Sequence, residues 1–180
     1  MLSLLPDYAD PLRLSALGKR YEGKIKLAEL PRLGPLLASP EGDASFVLTF
    51  GVDQEKRPVV SVAVAAALIV QCQRCMGPMA LAVDSVADLA VVSGPDEAER
   101  LPAELDPLLI EDGRVELRAL IEDELLLSVP PAPMHARENC EVQLDRVNDN
   151  ELAAHGPADA ERENPFAALA GLRDELGKHD

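Results

Sequence analysis

The fold is decided by the stretch Leu68-Ile-Val-Gln-Cys72-Gln-Arg-Cys75-Met-Gly77-Pro78, where a long apolar run ends in a Cys-x-x-Cys turn. Nearly every residue from Val59 to Val70 is apolar and several are β-branched, which predicts a strand buried on both faces. Two thiols at this spacing suit a turn that presents both sulfurs to one metal ion. Gly77 predicts a bend with positive φ just after the second thiol. The other predicted elements lie on either side of this strand and turn.

Alternating apolar and polar residues predict further strands. They are Tyr21 to Leu27, Ser45 to Asp53, Pro78 to Val92 and, after a turn-rich acidic loop at 93–107, Leu108 to Glu111. The stretch Glu116 to Ser128 has helical periodicity instead. Its core stripe is Leu117, Leu120, Ile121 and Leu125, with Glu122, Asp123 and Glu124 mostly outside.

These elements predict an α+β fold, because strands with short connections pair as an antiparallel meander. The sheet has about five strands, could close into a barrel, and carries the one packed helix. A chain of 180 residues can bury one sizeable core, which we place at 1–145. Residues 146–163 lose periodicity and predict a flexible linker, while 164–177 carry the capping signals of a C-terminal helix.

Charge and cysteine content indicate the compartment and the class of partner. The chain has 17 Lys and Arg against 32 Asp and Glu, a net charge of -15. This balance opposes nucleic-acid binding by the whole surface, since phosphate affinity depends on basic side chains. Three cysteines and no cationic leader predict a soluble protein of the reducing cytoplasm. The longest apolar run is about a dozen residues, below the ~20 of a membrane helix, so no membrane partner is expected.

A possible zinc site joins distant parts of the chain. The segment Val129-Pro-Pro-Ala-Pro133 ends the predicted helix and delivers His135 and Cys140. Together with Cys72 and Cys75 they make a Cys₃His set, whose spacing is typical of a closed structural zinc site. We expect the three sulfurs to lie ~4 Å apart around such an ion.

Two other interpretations of the cysteines stay open. The three thiols can be inert, or Cys72 and Cys75 can be a redox pair as in a thioredoxin-like motif. A redox pair normally opens a helix, whereas Pro78 and the strand pattern after it predict none.

A basic segment lies near the N-terminus of this acidic chain. Between Arg13 and Arg32 six basic side chains face only two acidic ones. Such a segment can contact RNA phosphate or an acidic partner, or it can be a solvated face beside a strand. The candidate contact residues are Arg13, Lys19, Arg20, Lys24, Lys26, Arg32 and, in the cysteine turn, Arg74.

An acidic stretch runs from Asp96 to Glu124, with eleven carboxylates against three arginines. We predict that it faces a basic protein partner; the alternative is that it serves only solubility. The candidate contact residues, called the acidic surface below, are Asp96, Glu97, Glu99 and Glu104. A catalytic carboxylate pair is disfavoured, because a run of charges on a helix is usually a solvated face. No hydrolase triad, phosphate-binding glycine loop or aromatic platform is visible, so we expect no enzyme.

Several ordered motifs resemble the YceD family of bacterial and plastid proteins, which are named for accumulation of large-subunit (23S) ribosomal RNA. They are Cys72-Gln-Arg-Cys75, Glu122-Asp-Glu-Leu-Leu-Leu-Ser-Val-Pro130, Pro133-Met-His135, Cys140-Glu-Val and Asn164-Pro-Phe-Ala-Ala-Leu-Ala170. The resemblance runs from about Arg13 to Arg173. It implies a role in synthesis, processing or stability of 23S rRNA and brings no catalytic residues.

Two functional classes follow from the resemblance and the charges together. One is a ribosome biogenesis factor that engages basic ribosomal or rRNA-processing proteins. The other is an RNA-binding module that contacts a 23S rRNA precursor through the basic segment. Salt-dependent binding of ribosomal RNA, weakened by charge reversal at Lys24 and Lys26, would distinguish them.

Overall fold

The structure, a computed structural model, describes residues 5–110 and 112–140. Its strands are β1 Tyr8–Ala9, β2 Arg20–Lys26, β3 Leu37–Ser39, β4 Asp43–Val52, β5 Pro58–Gln71, β6 Pro78–Val92, β7 Asp106–Leu109 and β8 Val115–Glu116. Its helices are α1 Pro11–Ala16, α2 Pro95–Ala98 and α3 Leu117–Ser128, with short 3₁₀ turns at Leu27–Glu29, Gly34–Leu36 and Arg137–Asn139. The predicted linker and C-terminal helix at 146–177 lie outside the described residues.

The main sheet has the strand order β2-β4-β5-β6-β7, and β3 also pairs with β5. The pairs are antiparallel except that β7 runs parallel to β6. The prediction of a mixed fold of sheets and few helices is therefore confirmed, but that of a wholly antiparallel sheet is wrong. The connection at 93–105 explains the difference, because it contains α2 and brings the chain back to start β7 in the direction of β6. The described strands form no closed barrel, since β2 and β7 end the order unpaired with each other.

The central strand β5 is buried on one face, so the prediction of burial on both faces is wrong. Val60, Val62 and Val64 are at most 2% exposed, whereas the residues between them are half-buried. The signal was ambiguous because the intervening residues are mostly alanines. Alanine is apolar enough to hide the alternation and small enough to tolerate a face open to solvent.

Helix α3 covers the core face of the sheet. Its predicted stripe is buried, which confirms that part of the helix prediction. Glu122 and Glu124 are also buried, which corrects their predicted outward placement. Each has a polar partner that makes burial tolerable: Glu122 accepts backbone N–H groups of Arg32 and Leu33, and Glu124 accepts the Ser85 hydroxyl at 2.5 Å.

A short helix near the N-terminus, α1, was not predicted. Asp10 caps it by accepting the backbone N–H of Arg13 at 3.0 Å, and Pro11 occupies its first turn. An Asp-Pro start is a recognisable capping signal, but six residues are too few to show a helical period. None of the described helices is long and apolar enough to cross a membrane.

Candidate metal centre

The first half of the centre is the tight turn between β5 and β6. The two strands stay paired down to Gln71 and Pro78. Within the turn, the Cys72 N–H donates to the Gly77 carbonyl at 2.9 Å, and the Met76 N–H donates to the Cys72 carbonyl at 2.8 Å. Positive φ occurs at Met76, at 60°, and not at Gly77 as predicted. These hydrogen bonds close the turn, and both thiols lie at the end of the β5–β6 hairpin.

The second half is the segment that follows α3. Several hydrogen bonds attach it to the turn. Among them, the Gln73 N–H donates to the Pro133 carbonyl at 2.8 Å, and Arg74 Nη2 donates to the His135 carbonyl at 2.8 Å. The 3₁₀ turn Arg137–Asn139 then returns the chain to Cys140. Proline-rich backbone thus places His135 and Cys140 over the hairpin end.

The four predicted ligands converge. The sulfurs of Cys72, Cys75 and Cys140 and a ring nitrogen of His135 all lie within 4.8 Å of one another. Cys72 and Cys140 are buried, while Cys75 and His135 are half-buried. Their donor set, three sulfurs and one imidazole nitrogen, suits a soft or borderline cation such as Zn²⁺. The prediction that these residues are close enough to hold a metal ion is confirmed, and we call them the Cys₃His cluster.

The imidazole of His135 is oriented as a metal ligand would be. Nε2 lies 3.2 Å from the Pro78 carbonyl oxygen and Nδ1 lies 3.4 Å from Cys75 Sγ. A carbonyl can only accept a hydrogen bond, so Nε2 carries the proton in the neutral ring. The lone pair of Nδ1 then faces the sulfurs, an arrangement in which the second ring nitrogen fixes the tautomer of the first.

The cluster favours ionised sulfur at one position. Burial raises the pKa of Cys72, but hydrogen bonds from the backbone N–H groups of Cys75, His135 and Arg74 outweigh it and lower that pKa to about 5. At Cys75 the Gly77 N–H lowers the pKa, but burial and the neighbouring sulfurs raise it overall. A hydrogen bond with the Cys72 sulfur raises the pKa of His135. A thiolate is the form that binds metal, so Cys72 is prepared for it at neutral pH.

Arg74 lies inside this centre, although its position in the cysteine turn had suggested only an external contact. Its Nε donates to Cys140 Sγ at 3.1 Å while Nη2 holds the His135 carbonyl. A hydrogen bond with the Cys140 sulfur raises the pKa of Arg74, so the guanidinium keeps its positive charge beside the sulfurs. Its predicted role as an RNA or partner contact must compete with these internal hydrogen bonds.

Comparisons with known proteins show which family this chain belongs to. A family model described as "Large ribosomal RNA subunit accumulation protein YceD" matches residues 60–173. A curated protein of Haemophilus influenzae with the same description is 32% identical over 174 residues, which cover 94% of this chain and 96% of that protein. The chain belongs to the YceD family. No solved structure matches it. The YceD family model covers the whole Cys₃His cluster and the acidic surface, whereas the basic segment lies before the matched range.

The acidic surface of this YceD family member lies on α2 and the turn after it. Asp96, Glu97, Glu99 and Glu104 are all exposed. Glu97 also has a local structural role, because its carboxylate accepts the Ser93 N–H at 2.9 Å. The four acids are therefore close in sequence, and the structure leaves all of them accessible to solvent.

The basic residues are divided between different surroundings. Arg32 is held by Glu122 and Asp123, at 3.1 and 2.6 Å. Lys19 lies 5.4 Å from the centre of the Tyr21 ring. Arg20, Lys24 and Lys26 alternate along the exposed side of β2, with Arg20 paired to Glu22 at 2.9 Å. Arg13 is exposed on α1. The structure thus places Arg20, Lys24 and Lys26 on one side of β2.

Proposed function

We propose that this chain supports accumulation of large-subunit ribosomal RNA as a cytoplasmic, non-enzymatic assembly factor. In this role it engages basic ribosomal or rRNA-processing proteins and thereby supports synthesis, processing or stability of 23S rRNA. Membership of the YceD family, whose members are described as accumulation proteins, is the observation that carries the proposal.

The acidic surface supports a protein partner of opposite charge. A chain with a net charge of -15 repels RNA at long range and attracts basic proteins. Asp96, Glu99 and Glu104 are exposed in the connection between β6 and β7 and belong to the part of the chain that the family model matches. Exposed charges of this kind act mainly on the rate and selectivity of association.

The Cys₃His cluster supports a structural zinc ion as part of the same factor. Four protein ligands would complete a tetrahedral shell and leave no position for a substrate. An ion held by Cys72, Cys75, His135 and Cys140 would tie the β5–β6 hairpin to the segment after α3. Its contribution would be to stability rather than to chemistry.

An RNA-binding module is the second candidate. Lys24 and Lys26 are exposed on the edge strand β2, on the same side as Arg20, and exposed basic side chains can neutralise phosphates. Charge reversal at Lys24 and Lys26 should then weaken salt-dependent binding of free 23S rRNA. The protein-partner proposal expects no such loss.

The deciding experiment compares two triple variants of the full chain in a strain depleted of the native protein. The test variant is Asp96→Asn, Glu99→Gln, Glu104→Gln, which spares Glu97 because its carboxylate accepts the Ser93 N–H. The control variant is Glu41→Gln, Asp112→Asn, Glu138→Gln, which removes the same charge from exposed positions elsewhere. Co-purified ribosomal proteins and the ratio of large- to small-subunit rRNA are measured together.

We expect the test variant to lose its basic partners and to lower the rRNA ratio, while the control variant keeps both. Unchanged partners and an unchanged ratio in the test variant would refute the role of the acidic surface. If even the depleted strain without any added copy kept a normal ratio, the accumulation function itself would be wrong.

A further inference from the structure

The sheet has a second face, opposite α3, whose side chains form regular rows across four strands. The backbone register aligns Lys24, Ser45, Ala65 and Asp84 in one row and Arg20, Thr49, Ser61 and Asp88 in another. Between them lies the row Glu22, Val47, Ala63 and Val86. Each outer row begins with a cation on β2 and ends with a carboxylate on β6. We call this side the open face.

The open face is accessible, and the side chains at its centre are small. Val86 is 65% exposed, which is high for a large aliphatic side chain in the middle of a strand. Lys24, Thr49 and Asp84 are exposed as well. The central strand β5 contributes only serine and alanine to the three rows. The Ser45 hydroxyl donates to the Ala65 carbonyl at 3.1 Å and so stays close to the sheet. Another sheet can therefore approach closely.

We propose that the open face is the interface of a weak homodimer, in which two copies pack sheet against sheet. The two-fold axis runs parallel to the strands, between the two faces. This interaction uses none of the residues of the acidic surface, so it is independent of the proposed function.

The charge layout selects this symmetry. A two-fold axis parallel to the strands keeps the order of the rows and reverses the order of the strands. Lys24 then lies over Asp84 of the second copy, and Arg20 lies over Asp88 of the second copy. An axis across the strands would place cation over cation instead. Isologous interfaces require this kind of self-complementarity.

The same layout favours a second copy over RNA. Three cations on this face, Arg20, Lys24 and Lys26, are accompanied by four carboxylates, Glu22, Asp43, Asp84 and Asp88. A polyanion would meet every one of those carboxylates, whereas a second copy pairs its own cations with two of them. Face-to-face sheets lie about 10 Å apart, a gap that a lysine or arginine and an aspartate can bridge.

The expected area makes the dimer weak. Four strands at about 4.8 Å spacing and eight residues at about 3.4 Å each give roughly 500 Å² per copy. A standard stable interface buries about 800 Å² per partner. We therefore expect weak, transient association that depends on local protein concentration.

The experiment uses two charge-reversal variants of the full chain. Variant A is Arg20→Glu, Lys24→Glu, which makes both ends of the rows acidic; variant B is Asp84→Lys, Asp88→Lys, which makes both ends basic. The control, Arg13→Glu, Lys56→Glu, changes the same charge away from the rows. Sedimentation velocity is recorded for each variant, and for an equimolar mixture of A and B, over a wide range of protein concentration.

We expect reversible self-association of the native chain and of the control. Variants A and B alone stay monomeric, because like charges then oppose each other, and their mixture forms a 1:1 complex at least as tight as the native dimer. Circular dichroism checks that each variant is folded. A native chain that stays monomeric at every concentration, or a mixture of folded A and B that does not associate, overturns the proposal. A monomeric native chain that binds single-stranded RNA through Lys24 would assign the face to RNA instead.

Discussion

Glu122 holds Arg32 at two points: its carboxylate accepts the Arg32 backbone N–H at 2.6 Å and the guanidinium Nε at 3.1 Å. The same carboxylate also accepts the Leu33 N–H at 3.0 Å. Glu122 is 5% exposed and Leu33 is fully buried, so no water can replace the carboxylate at the Leu33 N–H, whereas the Arg32 side chain is half exposed. One residue of α3 thereby fixes the loop between β2 and β3 against the core.

The substitution Glu122→Ala should lower the free energy of unfolding by about 3 kcal/mol, because it leaves the buried Leu33 N–H unpaired and removes the buried partner of Arg32. Asp123→Asn is the matched control. Asp123 lies 2.6 Å from the Arg32 guanidinium but is half exposed, so its loss should cost less than about 1 kcal/mol. Urea unfolding at neutral pH measures both. Equal effects of the two substitutions would contradict the role of Glu122 in fixing the loop between β2 and β3.

The Cys₃His cluster should retain about one Zn²⁺ per chain when the full protein is purified without chelators. Cys140→Ser and His135→Ala should reduce zinc to well below one ion per chain. Gln73→Ala, in the same turn but outside the ligand set, should leave the zinc content unchanged. Elemental analysis gives the stoichiometry. A native protein free of zinc, and unable to take it up after reduction, would exclude the site.

The thiol of Cys72 should be ionised at neutral pH in the metal-free protein, because backbone N–H groups lower its pKa from 9.0 to about 5. Since the folded pKa lies below the unfolded one, this group adds stability as pH rises from 5 to 9. That stability is lost as pH falls through 5. Thiolate absorbance against pH, compared with Cys72→Ser, isolates the step. A midpoint near 9 would show that the hydrogen bonds do not act on this sulfur.

Met76 should be replaceable by glycine with a gain in stability. Its φ is 60°, a region that costs a non-glycine residue about 1 kcal/mol, and its side chain is 58% exposed. We expect Met76→Gly to raise the unfolding free energy by up to about 1 kcal/mol. Gly77→Ala is the comparison, since its added Cβ would lie an ordinary 3.5 Å from Cys75 Sγ. A destabilising Met76→Gly would mean that the methionine side chain has an unrecognised contact.

Local patterns in the sequence were enough to predict the main strands, α3 and the convergence of the four ligands. The ligand set was predictable because the chain has only three cysteines, and a Cys-x-x-Cys spacing is typical of few kinds of site. By contrast, the prediction of positive φ at Gly77 was wrong, because Met76 has it instead. Glycine favours positive φ only on average, and the hydrogen bonds within this turn decide which residue adopts it.

Residues whose roles depend on distant partners were not predictable. Glu122 and Glu124 look like solvated acids on a helix, and only the partners Arg32, Leu33 and Ser85 make their burial possible. Arg74 looks like a free cation until Cys140 is placed beside it. The parallel direction of β7 likewise depends on how its connection packs rather than on the composition of the strand.

The two halves of the Cys₃His cluster lie on opposite sides of β6, α2, β7, β8 and α3 in the chain. A polypeptide still emerging from the ribosome holds only two of the four ligands until residue 135 has been made. Even a complete chain can assemble all four ligands only after the segment between Cys75 and His135 has folded. Closing this long loop costs conformational entropy, which the packing of the intervening elements must offset first. Metal capture would therefore come late and would mark chains that have finished folding. Unfinished or misfolded copies would remain distinguishable by their exposed thiols.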